Sequence, residues 1–127
     1  MILNVQNETS KLEAVVLGIA DSMGPAPTLE ETYDSKSYES VKLNQYPKQE
    51  DVIYEMSQFE KVLKKHGVQV FRPWVLEDCN QVFARDVGMA IDDKFIIANI
   101  IPDRADEQEA YERIIVLSPK TKWCMYR

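Results

Sequence analysis

The chain has 127 residues, 45% of them apolar and 28% charged, which suits one globular domain with a core of its own rather than a disordered chain. Its net charge of -6 argues against nucleic acid as the main partner, because phosphate binding needs a basic face, but says little about a small cationic ligand. No stretch approaches the ~20 consecutive apolar residues of a membrane span, the N-terminus lacks the basic-then-apolar order of a secretory signal, and Cys79 and Cys124 have neither metal spacing nor the density of a disulfide framework; the expected compartment is the cytoplasm.

Leu12 to Gly18 (LEAVVLG) is a short valine-rich run bounded by polar residues, and it is predicted to be a buried strand. From Ile19 to Pro47 the pattern dissolves into Gly24, Pro25 and Pro27, then alternating acid, serine and tyrosine, so 19–47 is expected as a long loop, a lid or a surface excursion. Glu50 to His66 turns helical: Val52, Met56, Phe59 and Leu63 make a stripe that Ile53 and Val62 broaden. Glu50 and Asp51 stand at its positive end, Lys64 and Lys65 at its negative end, and Gly67 stops it. Val68 to Phe71 alternates as a strand that Pro73 ends. Val87 to Ile91 and Phe95 to Ile100 are predicted to pair as a hairpin about Asp92, Asp93 and Lys94. A second helix follows Pro102, with Asp103 as N-cap, a stripe of Ala110, Ile114 and Leu117, and Pro119 as its close. The fold class is therefore α/β.

The unusual segment is CNQVFARDVG, residues 79–88, where Asn80, Arg85 and Asp86 cluster at the entrance to a run of strands. A carboxylate held there suits a guanidinium, whose planar donors it can accept in pairs. The plain alternative is an Arg85–Asp86 ion pair beside a turn.

NQVFARDVG resembles the Asn-x-x-Phe-x-Arg-Asp signature of the guanidine-modifying superfamily, which includes arginine deiminases, dimethylarginine dimethylaminohydrolases and arginine–glycine amidinotransferases. The early strand, the helix and strand, the hairpin, and an Arg-x-x-Glu helix start at Arg104 and Glu107 follow that superfamily's order. The resemblance implies that Asp86 grips the substrate guanidinium, that Asn80 and Phe83 line the same pocket, and that Arg104 holds a substrate carboxylate. Arg85 and Glu107 would support the motif. For Arg104 the other reading is a solvated residue in the first helical turn.

The resemblance also implies a fold: residues 1–127 would be the N-terminal portion of an amidinotransferase-like domain, a partial pentein-type α/β propeller of about one and a half to two ββαβ modules. The missing modules would leave sheet edges and apolar faces uncovered, from which self-association is expected. The implied substrate is a small guanidine such as arginine, handled with no cofactor and no metal through a cysteine–amidino intermediate. The superfamily's catalytic histidine and late cysteine find no match. His66 fits a helix C-cap, and neither Cys79 nor Cys124 has the nucleophile's context, so this chain alone is expected to be inactive. A non-catalytic domain that binds a guanidino ligand or a protein, and a piece of a hydrolase rather than a transferase, are the other readings.

Overall fold

The computed structural model describes residues 3–116. The first strand, β1 (Ala14–Val16), is followed by helices α1 (Ser35–Lys42) and α2 (Gln49–Lys65) and by β2 (Gln69–Phe71), which returns parallel to β1 with Val15 opposite Val70. The next pair, β3 (Gly88–Ile91) and β4 (Lys94–Ile97), is an antiparallel hairpin with Ile91 opposite Lys94, and its two-residue turn sets Asp92 at φ 52°. A 3-10 helix (Pro102–Tyr111) then runs directly into α3 (Glu112–Val116). The result is a small α/β structure of two separate two-stranded sheets, one parallel and one antiparallel. The stripe residue Leu117, Pro119, Cys124 and any strand that would complete the second module lie outside the described residues.

Two elements differ from expectation. The 19–47 stretch contains α1, whose start is set by Asp34: its Oδ1 accepts the Lys36 and Ser37 backbone N–H groups at 2.9 and 2.8 Å. Eight mostly polar residues with no buried side chain carry no apolar stripe, so periodicity misses them. The last helix begins two residues earlier than expected, with Ile101 rather than Asp103 as N-cap and Pro102 at the first helical position. Proline there loses no hydrogen bond and presets the backbone, which makes it a better start than the aspartate after it.

The core lies between the hairpin and the last helices, built from Val87, Ala110, Tyr111 and Ile114, with Val16, Phe71, Trp74, Leu76, Phe95 and Ile97 packed around them. It thereby joins both sheets. α2 packs on β2 and is tied there by Glu60, which accepts from Arg72 Nη1 at 3.1 Å and pairs with Lys64 at 2.6 Å. Those bonds, the Lys64 one first, hold the Glu60 carboxyl below its ordinary value. A two-stranded sheet cannot cover seventeen helical residues, and the stripe is only half sheltered: Phe59 stays 51% exposed and Val62 53%. None of the described helices is long and apolar enough to cross a membrane.

Gly18 does more than end a strand. A Cβ there would stand 2.5 Å from the Gln81 carbonyl oxygen and closer still to that of Val82, both main-chain atoms that cannot swing aside. The missing side chain lets the end of β1 lie against the 79–88 segment, where Ile19 N–H donates to the Gln81 carbonyl at 3.0 Å. Gly18→Ala is therefore expected to lower the stability of the fold by roughly 3 kcal/mol or more. Urea denaturation followed by tryptophan fluorescence measures it, and a loss below about 1 kcal/mol would contradict the close approach.

Candidate functional site

Asp86 owes its place to a chain of local constraints that begins at Gln81. This side chain is buried and bonded at both ends: its amide donates to the Trp74 carbonyl at 2.9 Å and its Oε1 accepts the Leu76 N–H at 2.8 Å. Left unpaired, so buried an amide would cost a few kcal/mol, so these bonds fix the path of residues 74–81. Nearby, Asp78 takes φ 52°, and its N–H reaches the Ser22 hydroxyl at 2.9 Å. A single 3-10 turn over Ala84–Asp86 follows, and Val87, buried in the core, anchors its far end. Asp86 is thus carried on a short turn pinned at both sides. It faces away from the core.

Its carboxylate meets Arg104, which the 3-10 helix delivers from the other side. Arg104 Nη1 donates to Asp86 Oδ2 at 2.8 Å, while its Nε and Nη2 donate to Glu107 Oε1 and Oε2 at 2.5 and 2.8 Å. The Glu107 pair is the side-on, two-bond arrangement in which a guanidinium and a carboxylate bind most strongly. Glu107 side-chain exposure is 3%, that of Arg104 17% and that of Asp86 38%. The bonds to Glu107 first, then to Asp86, outweigh burial and push the Arg104 guanidinium still higher than its ordinary value, so it stays charged. Arg104 is not a solvated helical residue. It is the centre of a three-member cluster with a buried acid on one side and a half-exposed acid on the other.

The half-exposed side opens on a cleft of about 1150 Å³, bounded by residues 31–37, 76–86 and 99–109. Asp86, Asn80, Phe83, Arg104, Arg85 and Glu107 all line it, so the residues singled out in the sequence come together on one surface. Their parts differ. Phe83 is half exposed and carries the Arg85 guanidinium over its ring, 5.2 Å from the centroid. Arg85 is 81% exposed, and its Nε stands 3.6 Å from Asp86 Oδ1, too far for a hydrogen bond. Asn80 Oδ1 accepts the Val82 N–H at 3.3 Å, a turn contact, and its amide nitrogen has no hydrogen-bond partner among the described residues. Sequence reasoning passed over Gln81, although it sits inside the signature, and read Tyr33 as part of a surface excursion, whereas Tyr33 and Asp34 line the opposite wall. A second hollow, about 590 Å³ beside Tyr46 and Gln49, has only Lys48 and Glu50 as charged lining groups.

Of the three reactive side chains weighed in the sequence, Cys124 lies outside the described residues, and Cys79 and His66 stand in different surroundings. Cys79 lines the cleft, but burial, then the charges of Glu107 and Asp106, push its thiol above the ordinary value against the opposing effect of Arg104. A raised thiol pKa means little thiolate at neutral pH, and the thiolate is the nucleophile. His66 is the C-cap of α2, its backbone N–H donating to Val62 and Leu63 carbonyls, and it is no part of the cleft. No group of three or more metal-binding side chains is gathered among the described residues.

Two outcomes follow from this geometry. Arg104→Met strands Glu107 as a buried, unpaired charge and is expected to cost about 3–5 kcal/mol of stability, whereas Asp86→Asn breaks a half-exposed pair and is expected to cost under about 1 kcal/mol. Urea denaturation of both variants checks the asymmetry; equal losses would contradict it. In a Cys124→Ser background, Cys79 is expected to react with iodoacetamide more slowly than a free thiol at neutral pH, its rate rising only above the ordinary thiol range of about 8.5. Mass spectrometry of the alkylated chain across pH reads this directly.

No protein family model matches the sequence, and no curated protein matches it. Solved structures do. The inosamine-phosphate amidinotransferase from Streptomyces griseus superposes on 95% of the chain with a TM-score of 0.70 and 21% identity. SxtG, an amidinotransferase from Microseira wollei in the saxitoxin biosynthetic pathway, superposes on 95% with a TM-score of 0.62 and 23% identity. In both cases the chain spans only 42% of the other structure. The resemblance drawn from residues 80–88 is thus met by a likeness of fold. Over nearly all of its length, the chain has the fold of a corresponding part of the amidinotransferases, less than half of such a structure.

Proposed function

We propose that the chain is the N-terminal part of an amidinotransferase-type enzyme that acts on arginine or a related guanidine, and that it forms the opening portion of a pentein propeller. The observation that carries this reading is a carboxylate, Asp86, pinned on a short turn at the edge of an open cleft, with one oxygen free of hydrogen bonds among the described residues and paired only with the exposed Arg85 at 3.6 Å, within the fold that the amidinotransferases share. A ligand guanidinium would pair with Asp86 Oδ1, with Asn80 beside it and Phe83 as an apolar wall. The half-sheltered stripe on α2 suits a piece of a larger structure whose further elements would cover it.

Binding of that kind prepares a reaction without performing it. A guanidinium carbon is a poor electrophile because its charge is spread over three nitrogens, and it needs a thiolate held against it and a proton donor for the leaving amine. In the intact enzyme a cysteine and a histidine from elsewhere would supply these, forming an amidino-thioether and then passing the amidino group to an amine. The raised thiol pKa of Cys79, caused first by burial, and the capping role of His66 leave this chain, by our reading, a binding part that is inactive alone. The same two observations favour a second reading, a non-catalytic domain that binds a guanidino ligand. The reading frame downstream of Arg127 separates them: a His-x-Glu motif and a late cysteine there support the enzyme.

Titration calorimetry with arginine and dimethylarginine tests the shared premise. Asp86→Ala is expected to weaken binding by roughly tenfold or more, the loss of one charge-assisted pair, while the melt of the variant stays close to that of the native chain. Unchanged affinity in Asp86→Ala would remove this carboxylate from the site.

A further inference from the structure

The chain already holds one guanidinium at the corner where a ligand's is proposed to sit. Arg85 folds back over its neighbours: its guanidinium carbon lies 5.2 Å from the centre of the Phe83 ring, and its Nε stands 3.6 Å from Asp86 Oδ1. An aromatic face and a carboxylate oxygen side by side are the two partners that suit a flat cation. Asp86 and Arg85 ride on one 3-10 turn with Phe83 as its N-cap, and all three line the cleft, so local chain geometry makes this contact.

The contact does not serve to hold Asp86. That work falls to Arg104, whose Nη1 donates to Asp86 Oδ2 at 2.8 Å from a side chain that Glu107 locks from behind. Arg85 faces the other oxygen at a distance too long for a hydrogen bond, and its side chain is 81% exposed. An exposed ion pair and an exposed cation–ring contact are each weak, so Arg85 can leave for solvent at little cost. It cannot stay while a second guanidinium takes the same ring face and the same oxygen, because two like charges would crowd one carboxylate.

We infer that Arg85 is an internal placeholder, which occupies the corner between Phe83 and Asp86 until a ligand guanidinium displaces it. This rests on the reading that Asp86 receives the ligand's guanidinium. It moves Arg85 from supporting the motif, the part implied by the resemblance, to competing with the ligand, so that affinity is set below what Phe83 and Asp86 alone would give.

The test is titration of the full chain and of Arg85→Gln with arginine and with methylguanidine, a guanidinium that has no far end. Arg85→Gln is expected to bind both ligands more tightly, by roughly threefold to tenfold, which is what removing two weak exposed contacts releases. The native chain supplies a second readout that does not depend on the variant. The NMR signal of the Arg85 Nε–H, displaced by the Phe83 ring, is expected to move to the position of a free arginine side chain as methylguanidine saturates the site. Unchanged affinity in Arg85→Gln would overturn the inference and leave the guanidine site standing. So would a native signal that stays in place on saturation, since any gain in the variant would then come from net charge alone. Weaker binding of both ligands by Arg85→Gln would make Arg85 a brace, and weaker binding of arginine alone would place it on the ligand's carboxylate; either result overturns the inference. No binding of either ligand by either chain would overturn both the placeholder and the reading on which it rests.

Discussion

One guanidinium held between two carboxylates organises this structure. Arg104 joins the helix that begins at Pro102 to the turn that carries Asp86, and Glu107 locks it from behind through two hydrogen bonds. The energetics are lopsided. Glu107 is buried, so its charge must be matched or the fold loses several kcal/mol. Asp86 is half exposed, contributes little to stability through its pair, and lines the cleft with its second oxygen free of hydrogen bonds among the described residues. A strong internal pair therefore supports a weak external one, and the weak one is where we propose that a ligand binds.

The rest of the fold serves that arrangement. The absence of a side chain at Gly18 lets the end of β1 touch the main chain at Gln81 and Val82, and the buried amide of Gln81 in turn fixes residues 74–76. Val87 and Tyr111 close the core beneath. The Tyr111 hydroxyl has no hydrogen-bond partner among the described residues, and burial pushes it well above the ordinary phenol value, so it stays protonated beside Glu107. The site thus sits on a well-determined floor. Its opposite wall, residues 31–37, carries local caps such as Asp34, and the stretch before it is tied to the start of α2 by Gln49, which donates to the Asp21 carbonyl and accepts from the Gly24 N–H at 2.9 Å each.

Much of this was legible in the sequence. The valine run, the helical stripe with charged ends and Gly67, and the hairpin about Asp92 and Asp93 each appear within a few residues of expectation, because each is governed by local pattern and turn chemistry. The helix α1 was not legible, since eight polar residues carry no period and only the Asp34 cap betrays them. Nor was the 3-10 form of the last helix, which local propensity does not determine at that length. The residues of the cleft were named by motif, but their division of labour was not. Spacing puts Arg104 and Glu107 on one helical face; burial alone makes Glu107 a structural partner, and the same burial turns Arg104 inward.

A structure of the chain with a bound guanidino ligand tests the central claim most directly. The account predicts the ligand's flat cation on Asp86 Oδ1, with Arg104 still bonded to Asp86 Oδ2 and Glu107. A ligand seated elsewhere, or an Arg104 swung off Asp86 to hold it, would contradict the account.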